Sequence, residues 1–289
     1  MTRRSLCFLL PLAAFGAAVY FVQASETAPV KPLKVLLVCG GCCHDYETQK
    51  MLLAEGISAR ANVEFTIDHN PVTGKEATKA TFERYKSADW AKGFDVVIHD
   101  ECSADVTDKD YVANILNAHR DGVPAVNLHC AMHSYRWGQF KEPVKPGDDN
   151  AGWYEMLGLQ STGHGPQEPI DITFVNPDHP TVKGMAGWTT IKEELYNNIQ
   201  ILGGQALAKG RQAFNDRKTG EPKVAEEVIV WTNEYGPNKT RIWSTTLGHN
   251  NDTVADARYL DMITRAVLWT AGKLDAEGKP LPGYEAKAN

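Results

Sequence analysis

Residues 34–39 (KVLLVC) form an apolar run of strand length, the pattern of a strand covered on both faces in a parallel sheet. Gly40-Gly41 ends the run, and from about Tyr46 the residues Met51, Leu52 and Leu53 mark a helical stretch. Residues 62–67 alternate, with Val63, Phe65 and Ile67 on one face, and predict a second strand; residues 94–98 predict a third. Between about 107 and 119, Tyr111, Val112, Ile115 and Leu116 recur at helical spacing, and residues 122–128 (GVPAVNL) give the fourth strand. Strands alternating with helices in this way predict a doubly wound α/β sheet.

The second half changes character. Residues 141–151 (KEPVKPGDDNA) have the composition of a long connection, residues 170–175 read as a strand, and residues 176–180 (NPDHP) as a turn. Residues 226–231 and 241–245 predict a hairpin through Tyr235, Gly236, Pro237 and Asn238, added to the main sheet. A closing helix over about 256–271 offers Tyr259, Ile263, Ala266, Val267 and Trp269 to one face, and the polar tail after Lys273 is expected to be loose.

Composition changes the picture mainly at the ends. Arg3 and Arg4 precede an apolar run from Leu6 to about Val22, and Val22-Gln23-Ala24 closes it with small residues, the pattern of a signal peptide over residues 1–24. An uncleaved anchor is the competing reading; Pro11 and Gly16 interrupt the run and argue against it. A linker (25–32), one domain (33–273) and a flexible tail (274–289) follow. Such a protein is periplasmic or secreted, without a membrane span once the leader is cleaved. A net charge of −6 and the absence of any basic block argue against a nucleic-acid partner. Five cysteines remain after the leader, which cannot all pair. Cys39 and Cys102 suit small buried thiols, and a disulfide from Cys42 or Cys43 to Cys102 or Cys130 stays open. A homo-oligomer also stays open.

In open parallel sheets, ligands bind beyond the carboxyl ends of the strands. His44 follows the first strand, His99 and Asp100 the third, His129 the fourth with Cys130 and His133 just after it, and His249 the late hairpin strand. Several strand ends therefore deliver imidazoles to one rim. Residues 122–133 (GVPAVNLHCAMH) have the layout of a nucleophile elbow. They place His129 at the elbow and Cys130 one residue late, with its thiol aimed elsewhere, which disfavours cysteine-dependent amidase chemistry. Strand alternation sends Glu194 and Tyr196 to one face, and Glu193 and Leu195 to the other. His164 lies between Gly163 and Gly165. Plainer readings compete: Asp45 as a helix N-cap, Glu193 and Glu194 as a solvated pair, His179 in a turn, His69 and His119 at the surface. Trp137, Trp153, Tyr154 and Trp188 suit the core, with one free to stack against a sugar ring.

The segments 39–45 (CGGCCHD), 127–131 (NLHCA), 162–164 (TGH), 178–180 (DHP), 193–196 (EELY) and 244–249 (STTLGH) occur in this order. Together they resemble the motifs of the trehalose-utilisation (ThuA-like) family over roughly residues 33–273. Cys42-Cys43 and His99 fall outside the family pattern. The resemblance implies a flavodoxin-like, class I glutamine amidotransferase-like fold: a doubly wound, mostly parallel sheet with an added antiparallel hairpin, lacking the amidotransferase cysteine. It also implies catabolism of trehalose-like disaccharides through 3-keto sugars.

The expected activity is elimination, hydrolysis or isomerisation of a sugar or 3-keto-disaccharide. A ketone oxygen held by an ion or an imidazole would acidify the neighbouring C–H, and Glu194 or His129 would take the proton. His129, Glu194 and His44 are the catalytic candidates, and His164, His249, Tyr196 and Asp45 the substrate-binding ones. A divalent, zinc-like ion would be held by a subset of His44, His129, His164, Glu194 and His249. A carbohydrate-binding module without chemistry, and a thiol hydrolase using Cys130, are the alternatives.

Overall fold

The computed structural model describes residues 30–216 and 218–287; the expected leader and most of the linker lie outside the described residues. The chain begins β1 (Leu33–Gly41), α1 (Tyr46–Ser58), β2 (Val63–Asn70), β3 (Val96–Cys102), α2 (Lys109–Arg120) and β4 (Ala125–Leu128). It continues with α3 (Gly152–Leu157), β5 (Leu159–Gln160), β6 (His164–Phe174), β7 (Thr189–Tyr196), β8 (Gln200–Ile201) and β9 (Gln205–Asn215). The hairpin β10 (Pro222–Tyr235) and β11 (Thr240–Thr245) leads to α4 (Asn251–Val254) and α5 (Ala257–Thr270).

Nine strands form one sheet in the order β2-β1-β3-β4-β11-β10-β9-β6-β7. The first five run parallel to one another, and β10, β9, β6 and β7 extend the sheet antiparallel. The expected doubly wound α/β architecture is therefore present, and the expected hairpin opens a four-strand antiparallel wing. A small antiparallel ladder, β5 with β8, stands apart.

Both faces of the parallel half are covered, as the continuous apolar runs require. Along β1, Val35, Leu37 and Cys39 pack on one side with Leu53 and Ile57 of α1 and Ile263 and Val267 of α5. Leu36 and Val38 pack on the other with Ile115 and Leu116 of α2 and Trp153 of α3. Aspartates start the long helices: Asp45 accepts from Thr48 N, Asp108 from Asp110 N and Tyr111 N, and Asp256 from Arg258 N.

Four expectations are corrected here. β3 runs on to Cys102, so His99 and Asp100 lie inside the strand and not beyond it. His99 is buried, with Nδ1 2.9 Å from Glu101 Oε1 and Nε2 2.9 Å from His119 Nε2. His119 is buried as well, since it sits on the inward face of α2, where Nδ1 donates to Val123 O at 2.7 Å. His69 is half-buried, with Nδ1 3.1 Å from Lys50 Nζ and 3.4 Å from Glu47 Oε2. The tail does not trail free over its described part: Asn62 N donates to Tyr284 O at 3.0 Å, and Leu274 and Tyr284 pack on Leu33, Ala61 and Leu268. Apolar side chains such as Leu274 and Tyr284 give the segment something to bury.

Candidate functional site

Four chain segments meet at the carboxyl edge of the parallel strands. The loop after β1 carries His44, the turn after β4 carries His129, the loop after β11 carries His249, and β7 contributes Glu194 and Tyr196. His129 sits at the elbow position with a positive φ of 41°, an uncommon backbone state for a residue with a side chain. Gly40 and Gly41 take φ of 134° and 101° and let β1 close against Asn70 and Cys102, which turns the chain up towards His44.

The polar atoms converge. His44 Nε2 lies 3.0 Å from His249 Nδ1, His249 Nδ1 lies 3.3 Å from Glu194 Oε2, and His129 Nε2 lies 3.6 Å from the same oxygen. One ligand atom from each of the four residues falls within 4.8 Å of every other. His164 stands at the margin, with Nδ1 3.5 Å from Glu194 Oε1 and 2.8 Å from Gly165 O. Tyr196 is sandwiched between the rings of His133 (4.2 Å) and His164 (5.6 Å), with its hydroxyl 3.3 Å from His129 Nε2.

Outer partners fix the orientation of each imidazole. His129 Nδ1 donates to Thr246 O at 2.6 Å, which turns its Nε2 to the centre. Tyr46 Oη donates to Cys42 O at 3.3 Å and can therefore accept from His44 Nδ1 at 3.2 Å, which leaves His44 Nε2 facing inward too. His249 is held through its backbone: Gln49 Nε2 donates to His249 O at 3.1 Å, and His249 N donates to Glu193 Oε2 at 3.2 Å.

The charges follow from these contacts. Burial by itself would raise the Glu194 carboxyl, but hydrogen bonds from His129 and His249 and the charge of His164 outweigh it and hold the group well below the usual carboxylate range. The bond to Glu194 raises His249, whereas burial and the charge of His129 lower His44.

That donor set fits a borderline divalent ion such as zinc. Bonds of about 2.0–2.1 Å let one ion join atoms up to about 4.2 Å apart, and the three closest separations above lie within that reach. His44, His129, His249 and Glu194 would hold it, while His164 and Tyr196 border it.

Two cavities flank the centre. One of about 370 Å³ is lined by Cys43, His44, Asp45, His249, Asn250 and Asp252. The other, of about 320 Å³, lies past His164 against Gln212, Phe214 and Glu227. Asp45 faces the first cavity while capping α1, and its Oδ2 accepts from Asn251 Nδ2 at 2.8 Å.

Sequence reasoning thus identified His44, His129, Glu194 and His249, which the fold brings together, and His164 and Tyr196 beside them. Among the described residues it missed Gln167, whose Nε2 is 2.8 Å from His249 Nε2, as well as Gln49, Tyr46 and Glu193 in their supporting roles. Gln49 carried a usable signal, standing at helical spacing with Tyr46, Leu53 and Ile57 on the buried face of α1. Phe214 is the aromatic ring at a cavity beside the centre, whereas Trp137 lines a separate cavity with Asp148 and Asn150, and Trp153 and Tyr154 are core.

The cysteines also differ from expectation. Cys42 and Cys43 are bonded to each other, and Cys102 and Cys130 are free thiols. Cys130 does not point away: Tyr196 Oη lies 3.6 Å from its sulfur, beneath the histidines. A hydrogen bond with Cys102, together with burial, pushes its thiol well above the ordinary value, which disfavours a thiolate there.

A doubly wound sheet with an imidazole–carboxylate cluster on its carboxyl edge places the molecule among the α/β proteins of ThuA-like architecture. A putative ThuA-like protein from Parabacteroides merdae ATCC 43184 shares the fold with a TM-score of 0.58 at 19% identity, over 89% of this chain and 98% of that one. One from Bacteroides uniformis ATCC 8492 gives 0.54 at 15% identity, over 85% and 95%. The chain belongs to the ThuA family, described as trehalose utilisation, whose model matches residues 34–270. No curated protein matches the chain.

Proposed function

We propose that this chain is an exported enzyme acting on a sugar or 3-keto-disaccharide at the His44–His129–Glu194–His249 cluster, with a zinc-like ion as cofactor. The observation that carries the reading is the convergence of three imidazole nitrogens and one carboxylate oxygen from four separate segments. Sugar binding needs no such set, whereas it suits polarisation of a carbonyl.

When bound, the ion supplies Lewis-acid polarisation of a carbonyl oxygen. The chain's own groups do the rest. Tyr196, with its hydroxyl at His129 and its ring between His133 and His164, is placed to hold a substrate oxygen or relay a proton. Glu194 turns Oε1 towards His164 and Gln167 and is the candidate base for a proton on the carbon next to the carbonyl. Phe214 offers an apolar ring face, and Gln212 and Glu227 polar groups, for a second ring in the cavity past His164.

Elemental analysis of the purified protein, paired with turnover of a 3-keto-disaccharide, tests this. One equivalent of a divalent metal is expected, lost in His129→Ala, and Glu194→Gln should lower turnover by about 10²–10⁴-fold. Full turnover by both variants would sink the reading.

A further inference from the structure

A second cluster lies next to the first and plays no part in the chemistry above. The loop after β1 brings Cys42 and Cys43 over the end of β3, where Cys102 is almost fully buried. The three sulfurs lie within 4.8 Å of one another, and Cys42 Sγ is 3.2 Å from Cys102 Sγ. The backbone fixes this approach independently of the side chains. Gly41 pairs with Cys102 in the β1–β3 register, and Cys42 N donates to Cys102 O at 3.3 Å. Cys43 is exposed and lines the 370 Å³ cavity, so the group opens to solvent on one side.

In the structure the pair Cys42–Cys43 is oxidised. A disulfide presents no thiolate to a metal. We propose that reduction of this bond turns Cys42, Cys43 and Cys102 into a three-sulfur site for a thiophilic ion of the zinc class, separate from the imidazole–carboxylate set. A dithiol reductant supplies the two electrons and two protons. Its sulfurs close into a disulfide, the Cys42–Cys43 bond breaks, and both cysteines become thiols. Binding the ion then releases thiol protons to water. Sulfur ligands at about 2.3 Å from zinc can lie up to about 4.6 Å apart, a reach that the 3.2 Å pair already satisfies. Three thiolates also prefer a softer ion than the neighbouring nitrogen and oxygen donors do. The short loop that carries His44 would thus read the redox state of its surroundings as metal loading.

The full-length mature protein is reduced with a dithiol, desalted without oxygen and titrated with Zn²⁺ alone, beside an untreated sample. One additional equivalent of zinc is expected in the reduced sample. Co²⁺ in place of Zn²⁺ should give a thiolate-to-cobalt charge-transfer absorption in the reduced sample only. Cys102→Ser and Cys43→Ser should each abolish the additional equivalent and the absorption. Glu194→Gln should retain both, which separates this site from the proposed enzymatic centre whether or not that centre holds metal. Equal zinc stoichiometry in reduced and oxidised protein overturns the proposal, as does an increment that survives the cysteine substitutions. If Cys102→Ser does not fold, the exposed Cys43→Ser decides the matter by itself.

Discussion

His129 holds its ring at the centre of the site only because β4 ends in a turn that forces φ to 41° and because Thr246 O takes its Nδ1 proton. The position is thus fixed twice, by backbone and by hydrogen bond. His44 lacks the first constraint and depends more on Tyr46. Tyr46→Phe keeps the buried ring and removes the hydroxyl that faces His44 Nδ1. Metal affinity should fall about 10–100-fold, measured by competition with a chelator, with little change in the thermal midpoint. Gly248 makes a different prediction at the same scale. Its φ is 124°, and a β-carbon there would lie 2.9 Å from Tyr259 Oη and 3.6 Å from His129 Cβ. Gly248→Ala should cost about 1–3 kcal/mol, visible as a lower denaturant midpoint, and should displace His249.

At the scale of elements, the strands that deliver the site differ in how plainly the sequence announces them. β1 and β3 are buried on both faces, so their apolar runs stand out. β4 does so over only four residues, yet the small residues and histidines after it mark the elbow. The antiparallel wing is quieter. β9 turns Gly210 and Gln212 inward, and β6 contains Pro166 and Pro169, so neither shows an apolar alternation; β6 begins at His164 although only residues 170–175 read as a strand. His164 is on a strand for that reason and not in a free loop. The pairing of Gln167 with Glu194 across β6 and β7 was likewise invisible, because bulges shift the register between His164 and Gln167. Motif order located the clustered histidines and Glu194; the partners that orient them come from pairings no local pattern encodes. His99 shows the opposite failure, a histidine near a strand end that belongs to a buried network with His119, Glu101 and Tyr85.

That network sets a property of the whole molecule. Burial, with the charge of His99, lowers His119 from 6.5 to about 3. Between those values the unfolded chain binds a proton at His119 that the native protein does not, so stability rises with pH there and falls as pH drops from 6.5 towards 3. Well inside the window the slope from this group is about 1.4 kcal/mol per pH unit. Urea midpoints measured at a series of pH values should show a steeper acid loss in the wild type than in His119→Gln. The docked tail gives a second molecular test. Truncation after Lys273 removes Leu274 and Tyr284 from Leu33, Ala61 and Leu268. Both side chains are only partly buried, so each contributes less than the ~1.5–3 kcal/mol of full burial; a modest drop in the thermal midpoint is expected, with the metal content unchanged.

Asn62 gathers the two extremities of the described chain, since its Nδ2 reaches Val30 O at 3.2 Å and Gly283 O at 2.9 Å. This junction lies where β1 and β2 begin, at the pole opposite the histidines. An affinity handle, a fluorophore or a surface linkage joined at either extremity of the described chain would leave the histidine-lined mouth turned outward, and immobilised protein should admit small solutes as freely as protein in solution.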